Sequence, residues 1–299
     1  MASSINYSPL RYPGGKSCLS NFVKEVAQLN RIIGGVYMEL YAGGAGAALN
    51  LLFNGTFSRV HINDYDYNIY CMWYSILNHP QAFINRINKT SVTIEEWHRQ
   101  KAVFFRGGRS SIVDLGFATF FLNRTNRSGI IFKAGPIGGL RQDGNYKIDV
   151  RFNKEKLIER IKMIASRRDD IVLTNLDALD ILNNIHLTNY NIENLFIYMD
   201  PPYYKKGKQL YLNNYKHNNH LNLANTLRNI ENIKWLISYD NVSEIKQMYG
   251  RYRMASFNLN YTLQTKKFGS ELLVFCDDLE LPTYIRIRNR TGALTLLNE

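Results

Sequence analysis

The sequence predicts a mixed α/β protein in which a mostly parallel sheet is interrupted by a helical insert. Two observations lead to this prediction. Short apolar segments alternate with helical patterns near the start of the chain and again in its second half, an order typical of βαβ units. Between them lies a stretch with three helical patterns and a glycine-dotted basic segment. We therefore expect a Rossmann-like sheet domain made of residues 1–70 and 170–299, and an inserted helical domain over 71–169 that bears a β-hairpin.

The first part of the chain predicts a helix, a strand, a second helix and a second strand. The helical pattern over 19–29 is amphipathic. Its apolar face contains Phe22, Val23, Val26 and Leu29. The segment "VYMEL" predicts a strand, "YAGGAG" a turn and "AALNLLFN" a helix, and "RVHIND" predicts a strand that closes on Asp64. Together these elements form a βαβ unit.

The rest of the chain supplies the insert and the second half of the sheet. Helical patterns run around 75–88, 94–105 and 111–122, and the basic segment after them has strand-like flanks, which indicate a hairpin or a long loop. Farther on, "NLFIYMDPPYY" and "KWLISYDN" predict strands, each followed by a helical pattern. Finally, "RYRMASFNLNYTL" and "SELLVFCDD" predict a closing antiparallel pair.

Composition places the chain among ordinary globular proteins. Of its 299 residues, 45% are hydrophobic and 21% charged, and the length suffices for one large core. It contains no run of about 18 apolar residues and no apolar signal core at the N-terminus, so we expect no membrane span and a cytoplasmic location. Cys18, Cys71 and Cys276 lie far apart without CxxC spacing, which predicts buried thiols rather than disulfides or a metal site.

The charge balance favours a polyanionic partner. The formal net charge is +12, which indicates nucleic acid or, equally on charge alone, a basic surface with no specific partner. The 20 tyrosines and 15 phenylalanines offer faces on which bases can stack, although most such rings belong to cores.

The Gly-Gly-Lys-Ser run in "RYPGGKS", residues 11–17, suggests a phosphate-binding loop, but the segment does not fit the pattern of one. A Walker loop requires a glycine five places before Gly15, where this chain has Leu10, and it requires a buried strand leading into it. Residues 1–9 make a poor buried strand. The function of Lys16 must therefore come from its relation to other motifs.

The glycine turn "YAGGAG" indicates a cofactor of the nucleoside type. Gly43, Gly44 and Gly46 lie between a strand and a helix, where glycine lets the backbone approach a ligand. Asp64 follows Gly43 by 21 residues and closes the next strand, a spacing at which a carboxylate can accept both hydroxyls of a ribose. Because Ala48 occupies the third glycine place of G-x-G-x-x-G, a cofactor without a pyrophosphate is favoured over a dinucleotide.

The segment "DPPYY" predicts a rigid site for a small planar group. Asp200 follows an apolar strand and so lies at its carboxyl end, where open α/β sheets bind ligands. Pro201 and Pro202 stiffen the turn, and Tyr203 offers a flat face. The structural alternative is a strand that ends at two prolines and carries a capping aspartate.

Taken together, "RYPGGKS", "ELYAGGAG" and "DPPYY", in this order and spacing, resemble the Dam-type (D12 class) DNA N6-adenine methyltransferases. The resemblance runs from about residue 10 to 279, and the insert between the glycine turn and "DPPYY" resembles the alpha group of the family. It implies a class I methyltransferase sheet, an inserted target-recognition domain and S-adenosylmethionine as cofactor. It also implies site-specific methylation of an adenine flipped out of double-stranded DNA.

The resemblance assigns roles to particular residues. In the family, the Asp-Pro-Pro-Tyr element is the catalytic site, so Asp200 and the carbonyl of Pro201 would accept the N6 hydrogens and Tyr203 would stack on the base. Asp177 would border the adenine ring of the cofactor, and it serves equally well as a helix cap. The expected catalytic residues are Asp200, Pro201, Pro202 and Tyr203. The expected cofactor-binding residues are Tyr12, Lys16, Glu39, Gly43, Gly46, Asp64, Asp177 and Asp200.

DNA contacts are expected on the insert and on a basic residue just before the cofactor loop. Arginine and glutamine can read base edges, whereas lysine mostly contacts phosphates, and each basic side chain taken singly could also be merely solvated. The expected DNA-binding residues are Arg11, Arg124, Arg127, Lys133, Arg141, Gln142, Lys147 and Arg151. Where GATC-specific relatives carry an aromatic residue, an asparagine and an arginine, this chain has Arg127, Ser128 and Phe132, which argues against GATC as the target.

Two other functions stay open at this point. The chain could methylate amino groups of RNA or protein, although such enzymes more often carry Asn at the position of Asp200. It could also be a non-catalytic DNA-binding relative, which predicts a degraded cofactor site. Methylation of cytosine C5 is disfavoured because the chain lacks a Pro-Cys nucleophile. We expect a monomer, with a cognate restriction endonuclease as a possible partner.

Overall fold

The computed structural model describes residues 7–11, 15–205, 215–262, 266–287 and 290–297 of the chain. A seven-stranded sheet forms its centre, in the order β3-β2-β1-β4-β5-β7-β6. Its strands are β1 (Val36–Glu39), β2 (Arg59–Asn63), β3 (Ile171–Thr174), β4 (Leu195–Met199), β5 (Lys234–Asp240), β6 (Arg253–Thr262) and β7 (Lys266–Phe275). The first five strands in chain order are parallel, and β7 runs antiparallel to both β5 and β6.

The sheet confirms the predicted Rossmann-like fold and its closing antiparallel pair. β4 is buried at all five positions, as expected of a central strand covered on both faces. From β1 the chain moves outward to β2 and β3 and then returns to place β4 on the other side of β1. The crevice between the carboxyl ends of β1 and β4 is therefore a topological switch point, the place where such sheets bind ligands.

Helices accompany the strands outside the insert: α1 (Ser20–Leu29), α2 (Gly46–Phe53), α8 (Ala178–Asn183), α9 (His217–Arg228) and α10 (Ser243–Met248). In α1, Phe22, Val23 and Val26 are buried as predicted. Leu29 is 41% exposed, so its assignment to the apolar face was wrong. It is the last residue of the helix.

The chain between β2 and β3 contains five helices rather than the three that the sequence predicts: α3 (Tyr67–Asn78), α4 (Pro80–Lys89), α5 (Ile94–Arg106), α6 (Ile112–Thr125) and α7 (Lys154–Ser166). Pro80 begins α4 and so divides the first predicted pattern into two helices. α6 is buried on nearly all sides and packs closely on α3. A side chain at Gly116 would lie only 2.5 Å from the carbonyl oxygen of Cys71.

Of the hairpin and the long loop that the sequence allows in the insert, the structure has the loop, so the predicted β-hairpin was wrong. Residues 126–153, all described, form a loop with a single isolated bridge between Asn126 and Pro136. Positive φ angles at Ser128 and Gln142, as well as at several glycines, interrupt the extended backbone that a strand pair requires. Side chains satisfy the loop backbone instead: Asn126 Nδ2 donates to the carbonyl of Ile130, at 2.8 Å.

β8 (Tyr284–Ile287) pairs with β9 (Arg290–Ala293) in a small second sheet that the sequence did not predict. Cys71 and Cys276 are buried, and Cys18 is half-buried. Over the described ranges, no helix is long and apolar enough to cross a bilayer. In the same ranges, no group of three or more His, Cys, Asp or Glu side chains could hold a metal ion.

Candidate active site

The predicted motifs meet at the carboxyl edge of the sheet. Asp200 follows β4, the glycine turn follows β1, and Asp64 follows β2, so that neighbouring strands deliver all three to one edge. Lys16 begins a 3₁₀ turn that precedes α1, and its side chain reaches Asp200. Tyr12 lies outside the described residues.

A buried ion pair joins Lys16 to Asp200. Lys16 Nζ lies 2.9 Å from both carboxylate oxygens of Asp200 and 3.0 Å from the hydroxyl of Tyr203. The lysine side chain is 1% exposed, whereas that of Asp200 is 16% exposed. A buried ammonium needs a counter-charge, and Asp200 supplies it. The family resemblance implies that Lys16 lies near the carboxylate of the cofactor, and that contact stays a prediction.

A second carboxylate, Glu271 of β7, completes this arrangement. Its Oε2 lies 3.5 Å from Lys16 Nζ, and its Oε1 accepts a hydrogen bond from the hydroxyl of Tyr203. Glu271 is 1% exposed, and burial raises its pKa while the Lys16 ammonium lowers it. Tyr203, itself 5% exposed, is therefore held by its hydroxyl in addition to the stiff Pro-Pro turn.

Ser238 of β5 orients Asp200 from the other side. Its hydroxyl donates to Asp200 Oδ1 at 2.7 Å and lies 2.8 Å from the hydroxyl of Tyr198. Oδ1 of Asp200 therefore accepts hydrogen bonds from both Ser238 and Lys16, whereas Oδ2 accepts one from Lys16. Since each carboxylate oxygen has about two lone pairs, these described contacts leave Oδ2 able to accept another donor.

In the glycine turn, both backbone polar groups of Gly43 are hydrogen-bonded to side chains. Gly43 has φ +46°, its N–H donates to Asp64 Oδ2 at 2.7 Å, and its carbonyl accepts from Trp73 Nε1 at 2.9 Å. Glu39 lies beneath the turn, 4% exposed, and accepts the N–H of Ala48 at 3.0 Å. Burial raises the pKa of Glu39 to about 8, so this side chain carries a proton near neutral pH.

Asp64 and Asp177 come after β2 and β3, at the same edge of the sheet as the glycine turn. Asp64 also accepts the N–H of Asp66 at 2.9 Å, and the protein packed around its carboxylate raises its pKa to about 7. Asp177 accepts the N–H of Leu179 at 2.8 Å and so caps α8. The cap was one of the two roles expected for Asp177, and a place beside the cofactor ring is compatible with it.

Asp240, at the end of β5, holds the chain that follows the Pro-Pro turn. Its two carboxylate oxygens accept the backbone N–H groups of Tyr204 and Lys205, at 2.8 and 3.0 Å. The hydroxyl of Tyr204 in turn lies 2.9 Å from His217 Nδ1, at the start of α9. These contacts fix the direction in which the chain leaves the site.

The basic residues predicted to contact DNA are distributed over the insert and the N-terminal segment. Arg127, Lys133, Arg141, Lys147 and Arg151 are exposed, whereas Arg11 and Arg124 are half-buried. Gln142 requires a correction. Its amide nitrogen donates to the carbonyls of Ile137 and Gly139, at 2.7 and 2.6 Å, and its amide oxygen accepts the N–H of Ile148 at 2.8 Å. Both amide hydrogens are thus used within the loop, and Gln142 braces the loop instead of presenting its amide to a base.

Sequence reasoning missed four residues that build the site: Ser238, Asp240, Glu271 and Trp73. Ser238 and Glu271 stand in otherwise apolar strands, "KWLISYD" and "SELLVF", and a lone buried polar residue in such a strand is a usable signal. Asp240 ends its strand in the same way as Asp200, so the rule that located Asp200 could also have located it. Trp73 gives no local signal, because its indole reaches the glycine turn only through packing of α3.

Comparison with known proteins gives one strong match. A family model described as "D12 class N6 adenine-specific DNA methyltransferase" matches residues 12–263. No curated protein matches the chain. Among solved structures, TrmK of M. capricolum, in complex with S-adenosyl-homocysteine, has a TM-score of 0.35 and 7% identity, covering 86% of this chain and 71% of that one. The rRNA methyltransferase AviRa of Streptomyces viridochromogenes has a TM-score of 0.33 and 11% identity, covering 86% and 84%. Both solved structures resemble this chain only distantly.

Proposed function

Because the chain belongs to the family of D12 class N6 adenine-specific DNA methyltransferases, we propose that Asp200 and the backbone carbonyl of Pro201 hold the N6 amino group of an adenine flipped out of duplex DNA. The sheet is accordingly that of a class I methyltransferase, DNA is the substrate, and S-adenosylmethionine is the cofactor. When bound, the cofactor supplies the methyl group that N6 receives. The protein residues position the nitrogen that attacks it.

The crevice fits such a cofactor by the chemistry of its polar groups. Each oxygen of the Asp64 carboxylate accepts one backbone N–H, from Gly43 and from Asp66, and each keeps a lone pair for a ribose hydroxyl. A side chain at Gly46 would lie 3.2 Å from Cβ of Ser17, so glycine keeps this helix start close to the lysine segment. We propose as cofactor-binding residues Tyr12, Lys16, Glu39, Gly43, Gly46, Asp64, Asp177 and Asp200.

The observation that carries the proposal is the hydrogen bonding of Asp200. Adenine N6 is a weak nucleophile because its lone pair is delocalised into the ring. A carboxylate oxygen and a carbonyl that accept its two hydrogens favour a pyramidal nitrogen whose lone pair is free to attack. Lys16 and Ser238 fix the Asp200 carboxylate, and among the described contacts Oδ2 keeps a lone pair for the amino group.

Tyr203 and the insert contribute binding rather than chemistry. The proposed role of the Tyr203 ring is to stack on the base after the base has left the duplex. Extrusion of the base costs a few kcal/mol of lost pairing and stacking, which this contact partly offsets. We propose residues 71–169 as the target-recognition domain, with the exposed basic residues of its loop against the DNA. Recognition of one specific site, the monomeric state, the cytoplasmic location and a restriction endonuclease as partner also stay predictions from the sequence.

Incorporation of labelled methyl groups tests this function. Purified protein with labelled S-adenosylmethionine should methylate duplex DNA but not RNA or protein, and Asp200→Ala should abolish the transfer while DNA binding persists. Asp169→Ala is the matched control, because Asp169 is exposed and lies just before β3, at the opposite edge of the sheet. Full activity of Asp200→Ala would refute the role of Asp200, and methylation of RNA or protein alone would refute DNA as substrate.

A further inference from the structure

Four arginines gather where the N-terminal segment meets the helices of the insert. We call Arg11, Arg124, Arg151 and Arg160 the arginine cluster. Backbone carbonyls orient three of its guanidinium groups, of which two are at its periphery: Arg11 Nη1 donates to the carbonyl of Asn126 at 3.2 Å, and Arg160 Nη1 donates to the carbonyl of Ser8 at 3.2 Å. Arg160 comes from α7 and was not among the residues that the sequence assigns to DNA.

The centre of the arginine cluster is Arg124, in the last turn of α6. Its Nε and Nη2 both donate to the carbonyl of Arg151, with Nε at 2.7 Å. Asn123, the preceding residue, binds the backbone of Arg11 twice: its Oδ1 accepts the N–H at 2.7 Å, and its Nδ2 donates to the carbonyl at 3.0 Å. The N-terminal segment is therefore pinned to the insert beside Arg124.

The arginine cluster has no counter-charge in the described part of the chain. In the described residues, the arginines that pair with an Asp or Glu are all outside the arginine cluster: they are Arg86, Arg99, Arg167 and Arg251. Burial, and after it the charges of Arg11, Arg160 and Arg151, lower the pKa of Arg124 to about 9. Three of the four guanidinium groups, those of Arg11, Arg124 and Arg160, are half-buried, and groups of like charge in such surroundings lower their free energy when an anion joins them.

We propose that the arginine cluster binds one phosphate of the DNA backbone, next to the nucleotide whose adenine enters the active site. Each guanidinium has five N–H donors in a planar fork that matches phosphate, and the described hydrogen bonds occupy only part of them. The inference rests on the proposed function in one respect, namely that DNA is the polyanion.

The location of the arginine cluster suits a phosphate near the flipped nucleotide. Ser8, which accepts from Arg160, also donates its hydroxyl to the carbonyl of Gly44 in the glycine turn, at 2.5 Å. Arg11 precedes Lys16 by five residues, which span at most about 18 Å of extended chain. The backbone of Arg11 therefore lies within this distance of Lys16, whose side chain contacts Asp200.

The salt dependence of DNA binding tests the inference. We would measure the affinity of wild type, Arg160→Gln and Arg151→Gln for two duplexes of unrelated sequence by fluorescence anisotropy over a range of NaCl concentrations. Arg151 serves as the second variant because its side chain is exposed and its described hydrogen bonds are accepted by its backbone carbonyl. Replacement of this side chain should therefore leave the fold intact. Arg59→Gln is the matched control, since Arg59 is exposed and begins β2, at the edge opposite the site.

Removal of a phosphate contact should lower the slope of log affinity against log salt by about 1, equally on both duplexes. We expect this in Arg160→Gln and Arg151→Gln, with the wild-type slope in Arg59→Gln. Wild-type slopes in both cluster variants would overturn the phosphate site and leave the proposed function standing if adenine is methylated. Reduced slopes in a protein that never methylates adenine would instead overturn the proposed function and support the phosphate site.

Discussion

The polar network around Asp200 and the arginine cluster are both built from charged side chains, but only the first contains its own counter-charges. In the Asp200 network, which also includes Lys16, Tyr203, Ser238 and Glu271, the Lys16 ammonium lies between two carboxylates. In the arginine cluster, four like charges adjoin one another without a carboxylate partner among the described residues. The difference separates two tasks. A catalytic site must be rigid before its substrate arrives, whereas a phosphate site gains from charge that only the ligand neutralises.

The largest effect should come from removal of the ammonium at the centre of the Asp200 network. Lys16→Met leaves Asp200 and Glu271 as buried carboxylates without their shared cation, and loss of one partner of a buried pair costs about 3 kcal/mol of unfolding free energy. Urea unfolding would measure it, with the exposed Lys89→Met as control. If both variants lose the same stability, the Asp200 network is not internally compensated.

A pH-dependent stability should follow from Glu39, beneath the glycine turn. Its pKa is raised by burial to about 8 in the folded protein, so between its unfolded value and pH 8 the folded state binds more protons. Stability from this group is therefore greatest at low pH and falls as the pH rises, by about 1.4 kcal/mol per unit at most. Urea unfolding at pH 5.5 and 7.5 should show that the free energy of unfolding falls less in Glu39→Gln than in wild type. The glutamine keeps an acceptor for the N–H of Ala48. Equal losses in the two proteins would contradict the raised pKa.

A moderate effect on catalysis is expected from Ser238. Ser238→Ala removes one hydrogen bond to the Asp200 carboxylate, worth about 1.5 kcal/mol, and should lower kcat about tenfold while KM for S-adenosylmethionine is unchanged. Steady-state kinetics would show this split. A change in KM alone would mean that Ser238 acts on cofactor binding and not on the orientation of Asp200.

The smallest effect distinguishes the arginine cluster from the Asp200 network most sharply. Arg151→Gln removes an exposed charge that repels Arg11 and Arg124, so the free energy of unfolding should stay within about 0.5 kcal/mol of wild type or rise slightly. Thermal unfolding at low salt would measure it. A marked destabilisation would show that Arg151 has a stabilising partner, contrary to an uncompensated cluster.

The same contrast separates what the sequence could predict from what it could not. Asp64, Asp200 and the glycine turn were predictable because each directly follows a strand, and the carboxyl ends of parallel strands share an edge. Ser238 and Glu271 reach Asp200 and Tyr203 only through the pairing of β4 with β5 and of β5 with β7. That neighbourhood is set by the sheet order and not by local sequence.

The insert was less predictable because its loop is held by side chains. A basic segment with strand-like flanks predicts a hairpin, but the amides of Asn126 and Gln142 satisfy the backbone and replace a strand ladder. The contribution of Arg160 was invisible for a related reason. It lies on α7, a helix without a recognised pattern in the sequence, and it contacts Ser8 across 152 residues of chain.

The nucleoside composition of DNA treated with the protein tests whether Asp200 positions adenine N6 for methyl transfer. DNA incubated with the protein and S-adenosylmethionine would be digested to nucleosides and quantified by mass spectrometry. We predict that wild type and Asp169→Ala both produce N6-methyl-2′-deoxyadenosine. In Asp200→Ala this product should be lost while DNA binding is retained. Formation of N6-methyladenine by Asp200→Ala at the wild-type rate, or a wild-type product methylated on cytosine, would contradict this role of Asp200.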